Sequence, residues 1–310
     1  MNAIAPIIRP GIYDIPAQRY HSDPTPTPSL SNSIAKKLIR QSPMHAHYAH
    51  PRLGGAGNDN HTSAMDDGTI LHALLLGKGG ENVEIIYADD FKKKVTQEAR
   101  DDARAAGKTP VLAHKMAALC VTADAARKQI EDHPAACELF GPGSAEHAIL
   151  WEEDGIWLRS LVDFIPDNPN LPLLDIKTTG LSAAPEEWEQ RLIKEYAVQD
   201  AFYSRGFHAV TGRHPPPMQF IVVETDPPYG VSVMAAAPTL RAVAEAEVER
   251  AVRMWRHCMK TGRWPGYPPF VASVEAPNWL LNKMEEQESR DQFVKKYDPI
   301  SLEGHPNPYM

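Results

Sequence analysis

Two aspartates and a lysine near the middle of the chain carry the first chemical signal. Leu173-Leu174-Asp175-Ile176-Lys177-Thr178 is a short apolar run interrupted by a carboxylate and an ammonium two residues apart. Side chains at i and i+2 of a strand project from one face, so Asp175 and Lys177 emerge together while Ile176 turns into the core. Burying either charge alone is costly. A strand bearing both is therefore a site where they are used, or a surface ion pair. Asp163 ends another predicted strand, twelve residues earlier. A neighbouring strand that sets it beside Asp175 would gather two hard oxygen donors, suited to magnesium or manganese. The lysine could then position or deprotonate a water for hydrolysis.

The elements that must position these residues follow from patterning. Ala145 to Trp151, a turn at Glu153-Asp154-Gly155 and Ile156 to Ile165 read as a hairpin, with Leu171 to Thr178 as a third strand. Pro185 suits the first turn of one long helix to about Arg205, and Glu186 and Glu187 favour its positive end. Phe220 to Glu224 and Gly230 to Ala236 form a second strand pair, followed by a charged helix from about Pro238 to Thr261. Upstream, Met65 to Leu76 reads as a helix that is apolar on nearly every side, hence buried, with His72 inside it and Gly77 at its end. Residues 91–133 read as one or two alanine-rich helices broken near Gly107 and Pro110.

The ends have a different texture. The prolines between Asp23 and Ser29 demand an extended or turning chain. Ser31 or Ser33 can then cap a short helix with Ile34, Leu38 and Ile39 on one side and Lys36, Lys37 and Arg40 on the other. Pro43 opens a second short helix to about His50. From Arg263 the tail reads as irregular, with a polar helix or partly disordered end around Glu285 to Lys296. The expected division is a Pro-rich, net-basic extension over residues 1–60, a catalytic domain over 61–280 and a polar tail over 281–310.

Composition narrows the classes. The chain has 310 residues, 43% hydrophobic and 23% charged, as expected for a globular protein that buries a core. No stretch approaches the length of an apolar membrane span, and the N-terminus lacks the pattern of a secretory signal. Cys120, Cys137 and Cys258 are too few and too scattered for a disulfide framework, a Cys-x-x-Cys zinc site or a four-cysteine iron–sulfur cluster, and a reducing cytoplasm is expected. The net charge of −8 argues against general nucleic-acid binding, yet residues 1–52 hold six Lys and Arg against only Asp14 and Asp23. A local basic surface on an acidic protein is compatible with both numbers.

Asp163 followed by Asp175-Ile176-Lys177 resembles the PD-(D/E)xK nuclease signature, with Val162 where that pattern has proline. Gly68 to Leu74 resembles the helix that supplies a histidine ligand in the RecB-like branch. Gln199-Asp200-Ala201-Phe202-Tyr203 matches the Gln-x-x-x-Tyr motif that follows the lysine there. Tyr20 to Asp23, Ser31, Ser42-Pro43, Trp151 to Trp157, Val223 to Tyr229 and Trp264-Pro265-Gly266-Tyr267 are similar in order and spacing to the RecE-type group, exodeoxyribonuclease VIII and its phage relatives.

The resemblance implies an α/β fold with a restriction-endonuclease-like core, a central mixed β-sheet flanked by helices. It implies one or two magnesium ions, which manganese can replace, held by His72, Asp163, Asp175 and the main-chain carbonyl of Ile176. Lys177 would orient the attacking water, Gln199 would bond DNA backbone or a water on the metal, and Tyr203 would support Gln199. The implied substrate is linear duplex DNA, degraded on one strand from the 5′ end to leave 3′ single strands. A homo-oligomeric ring, a single-strand annealing partner and a phage or prophage origin in a bacterial cytoplasm are implied with it.

Two other readings use the same residues: a structure-specific or restriction-type endonuclease, and a catalytically idle DNA-end binder. Lys36, Lys37 and Arg40 are candidate DNA contacts, and Lys92-Lys93-Lys94 is a solvated face. His45, His47 and His50 lack the shared face and acidic partners of a metal cluster, and a solvated or phosphate-facing segment is expected there. Glu146 is read as an ordinary strand carboxylate or, less readily, as part of the site rim.

Overall fold

The computed structural model describes residues 5–55 and 63–297. Residues 1–267 form one compact unit and 268–310 a second. Among the described residues, nine strands and nine α-helices carry the first. β1 is Gly11–Tyr13, α1 Ala17–His21, β2 Leu30–Ser31, α2 Asn32–Arg40, α3 Pro43–Ala49 and α4 Ser63–Leu76. β3 Val83–Ile86, α5 Lys94–Ala105, β4 Thr109–Leu112 and α6 Ala113–Asp132 follow. Then come β5 Gly143–Glu153, β6 Ile156–Pro166, β7 Leu174–Thr179, α7 Pro185–Arg191, α8 Ala197–Thr211, β8 Gln219–Glu224, β9 Val231–Ala235 and α9 Pro238–Thr261.

The main sheet runs β1-β5-β6-β7-β8-β9, with β2 pairing the same strand β6 in parallel. It is mixed, as expected: β7 and β8 are parallel, and the other neighbours along that order are antiparallel. The β5–β6 hairpin turns on Asp154 and Gly155, both at positive φ, the conformation a two-residue turn requires. One face packs on α2, α8 and α9 through Leu38, Trp151, Leu158, Phe202, Phe220 and Trp255. The other carries Leu174, Ile176 and Ile221 against Leu75 of α4 and Ile130 of α6. α8 approaches the first face closely because Gly206 faces the Trp151 ring, where a Cβ would come within 2.5 Å.

Four features depart from the sequence reading. The helix expected from Pro185 to Arg205 is two helices joined by one π turn, Leu192–Tyr196, and the second continues to Thr211. The break near Gly107 and Pro110 is filled by β4, which pairs β3 in a separate two-stranded parallel sheet. The strands β1 and β2 are too short to show alternation in sequence. Residues 5–55 are also integral to the compact unit, since Leu30, Ile34, Ala35 and Leu38 belong to its main core.

The Pro-rich run is pinned by Asp23, whose buried carboxylate accepts from Thr25, the Ser29 amide and Arg159. Ser31, one of the two serines expected there, caps α2, and Ser42 caps α3, which Pro43 opens as expected. In the second unit α10 spans Asn278–Tyr297, beginning earlier than the polar run alone suggested. Among the described residues no helix is long and apolar enough to cross a membrane.

Candidate active site

The site forms where β6 and β7 part. These strands share the register pair Phe164↔Leu174, while β7 continues alongside β8 from Leu174 to Thr179. At the mouth of the fork the Ile176 amide donates to Asp163 Oδ2 at 2.9 Å. Ile176 packs into the core, and Asp175 and Lys177 share the opposite face as an ion pair. Gln199 of α8 is buried and donates its amide to Asp175 Oδ1. Tyr203, one turn later, is also buried, close to the Leu161 backbone.

His72 arrives from α4 on the other side of the sheet. Its Nε2 lies 2.8 Å from Asp163 Oδ2, and its Nδ1 lies 3.4 Å from Glu146 Oε1. Glu146 sits between two register pairs of the hairpin, Ala145↔Phe164 and His147↔Val162, and so faces Asp163 across the strands. Its backbone is left-handed, with φ of 49°. A non-glycine residue held there costs about 1 to 3 kcal/mol, and such strain gathers at functional sites. Lys78 braces the distortion by donating to the Ala145 carbonyl at 2.8 Å while pairing with Asp14. Gly79, at φ 91°, leaves room beside the Glu146 carboxylate.

The charges separate the two aspartates. Burial opposes ionisation of Asp163, but the charge and hydrogen bond of His72, with Lys177 and the Ile176 amide, hold its carboxyl below the usual range. Burial and then the charge of Asp163 push Asp175 up to about 6, against the pull of Lys177 and His72. Burial works against the His72 cation, yet Asp163 and Glu146 raise it to about 10. Lys177 is likewise raised, because Asp175 and Asp163 outweigh its burial. Neighbouring carboxyls pushed in opposite directions are a mark of acid–base sites.

Three carboxylates supply hard oxygen donors that suit magnesium or manganese, with the imidazole as a borderline donor beside them. The Asp175 Oδ2 atom is buried, with no hydrogen bond beyond the ion pair to Lys177. No ready-made cluster of three or more His, Cys, Asp or Glu ligands occurs among the described residues, and Asp163 and Asp175 are engaged by His72, Lys177 and Gln199. The residues that could hold a cation are Asp163, Asp175 and His72, with Ile176 between the aspartates and Glu146 beside the imidazole.

Other candidates fall elsewhere. Lys36 pairs with Glu195 at 3.0 Å, and Arg40 donates to the Lys194 carbonyl and reaches Glu247, so both tie α2 to neighbouring elements. Lys37 is half-buried. Lys92 and Lys94 are solvated. The histidines of α3 and its C-cap are not the solvated segment expected: His45 bonds Ser42, His47 packs on Trp264, and His50 is buried against the Ser29 carbonyl.

One contributor is not assigned from sequence, and a second, Glu146, is read there first as an ordinary strand carboxylate and less readily as part of the site rim. Tyr196 lies in the π turn with its ring 5.0 Å from the Lys177 ammonium. Glu146 had a usable signal, because counting back from the two-residue turn Asp154-Gly155 sets it opposite Asp163.

A mixed sheet flanked by helices, with acids and a lysine gathered where two strands diverge, defines a PD-(D/E)xK-type fold. The chain belongs to the family described as PDDEXK-like domain of unknown function (DUF3799), which matches residues 31–274. Its fold also resembles a crystal structure described as "Putative exonuclease" from Eubacterium rectale. The TM-score is 0.51 at 13% sequence identity, covering 84% of this chain and 92% of that one. No curated protein matches the chain.

Proposed function

We propose that the protein is a divalent-metal-dependent deoxyribonuclease of exonuclease type, similar to the RecE-type enzymes. One observation carries the reading: His72, Asp163, Asp175, Lys177 and Gln199, spread over more than a hundred positions, form one connected cluster at a strand fork. Family membership and the fold shared with a protein described as an exonuclease support it.

A bound magnesium ion would supply charge stabilisation of the scissile phosphate and of its leaving oxygen. The chain's own residues do the rest. Asp163 and Asp175 present anionic oxygens at a fixed separation. Gln199 orients Asp175 from the α8 side, and the Ile176 amide orients Asp163. Lys177, held by Asp175 and the Tyr196 face, is placed to orient the attacking water. The substrate proposed is the end of linear duplex DNA, with a ring of identical subunits and a single-strand annealing partner as the setting.

The test uses linear duplexes labelled at the 5′ or the 3′ end, together with closed circular DNA, with and without magnesium. Magnesium-dependent release of mononucleotides from the 5′ label, with the circle intact, is expected. Cleavage of the circle would replace the exonuclease with an endonuclease on the same core, and DNA binding without cleavage in magnesium would leave an end-binding protein.

A further inference from the structure

Beside the catalytic cluster lies a cavity of about 420 Å³ that shares His72 and Glu146 as one wall. It runs from them between α1, α4 and the start of β4. Its volume falls in the range of single small-molecule sites and is far short of a duplex. Its chemistry is unlike a phosphate site. Among the described residues lining it there is no lysine or arginine, and Asp66 is neutralised by Arg104 at 2.9 Å. Phosphate recognition relies on such cations.

Away from the charged His72–Glu146 wall and the Asp66–Arg104 pair, the polar side chains carry no formal charge, Thr69 among them, and burial holds His21 below the usual imidazole range. Gln18, Asn82 and Thr109 contribute amides and a hydroxyl, and hydrophobic surface comes from Ala73 and Val83. Gly107, at φ 74°, admits the Gln18 amide where a Cβ would come within 2.6 Å of its nitrogen. Amide side chains pair with base edges through matched donors and acceptors.

We infer that this cavity receives the base and sugar of the single deoxynucleotide whose phosphate lies at the Asp163–Asp175 fork. The inference rests on the nuclease reading and adds the ligand of its neighbouring cavity. It gives the site a one-nucleotide compartment that is uncharged away from its His72–Glu146 wall, next to the charged fork.

The direct test is calorimetric titration of the full-length protein with a deoxynucleoside 5′-monophosphate and with deoxyribose 5-phosphate, both in calcium. The nucleotide is expected to bind about tenfold more tightly, the size of one well-made side chain–base contact. In the double variant Gln18→Ala/Asn82→Ala that preference disappears, while binding of deoxyribose 5-phosphate is unchanged. On DNA, a terminal abasic nucleotide should raise KM for the wild type and leave the double variant's KM unchanged. Equal binding of the two ligands by the wild type, or a preference that survives in the double variant, would overturn the assignment. Because the titration needs no turnover, a protein that fails to cleave DNA yet prefers the nucleotide would sink the nuclease reading and leave the compartment standing.

Discussion

Replacing Lys177 with methionine distinguishes a working site from a structural ion pair. Asp175 is 1% exposed, and its carboxyl already stands near 6 through burial and the charge of Asp163. Without the ammonium, Gln199 remains as its donor and the value climbs further. Stripping one partner from a buried pair ordinarily costs about 3 to 5 kcal/mol. Here proton uptake limits the loss, which cannot exceed the free energy of neutralising Asp175. A carboxyl whose folded value is raised binds its proton more tightly in the folded state. Its contribution is intact below its unfolded value, near 3.8, and is lost as the pH rises through the folded value.

From a wild-type value near 6, the added loss is well under 1 kcal/mol near pH 6, about 1 kcal/mol near pH 7 and about 3 kcal/mol near pH 8. Unfolding of both proteins in EDTA at these pH values reads the difference directly. The last figure corresponds to a Tm lowered by roughly 6 to 12 °C. Cleavage of linear duplex should disappear at every pH, because no other ammonium pairs with Asp175 among the described residues. A loss of about 3 kcal/mol or more that does not vary with pH would refute the reasoning, since that is the behaviour of a structural pair. Cleavage by the variant at near wild-type rates would refute it equally.

Three further outcomes follow from the same geometry. Asp163→Asn removes the principal support of the His72 cation. NMR titration in EDTA should show His72 protonated beyond pH 8 in the wild type and falling toward its ordinary range in the variant. Glu146→Gly and Glu146→Ala both delete a carboxylate beside His72, but only glycine tolerates φ of 49° freely. The glycine variant should unfold at higher urea by about 1 kcal/mol, with manganese binding weakened in both. Gly206→Ala sets a Cβ within 2.5 Å of the Trp151 ring. It should destabilise the fold by about 1 to 3 kcal/mol and lower activity through the displacement of α8, which carries Gln199.

The inner half of the site was legible because its residues sit in regular structure. A period of two on β7 fixes the common face of Asp175 and Lys177. A period of 3.6 on α8 keeps Gln199 and Tyr203 together, and both are buried. Irregularity hid the rest. A π turn adds a residue to the helical repeat, so no helical count from Gln199 foretells that Tyr196 lies over Lys177. Glu146 occupies a countable register position, but its left-handed backbone is invisible in a strand pattern. His72 was found through resemblance, since nothing in an apolar helix says which strand it will meet ninety-one residues later. The basic face of α2 misled for the opposite reason: Lys36 and Arg40 look free in sequence and meet Glu195 and Glu247 in space.

Why the cluster stands at this fork is a matter of compensation. Two carboxylates brought together in a sheet interior repel, and burial penalises each. Parting strands leave a peptide amide free to face a side chain, and the Ile176 amide meets Asp163 there. The sheet's two faces then supply one cation each: His72 comes from α4 to Asp163, and Lys177 projects beside Asp175 on the side of α8. A divalent cation carries the charge of both protein cations in a single atom, so its arrival would free His72 and Lys177 from pairing duty without leaving the aspartates bare. The arrangement therefore keeps mutually repelling acids assembled in advance, and under the proposed function it would release the lysine for chemistry once that charge is replaced.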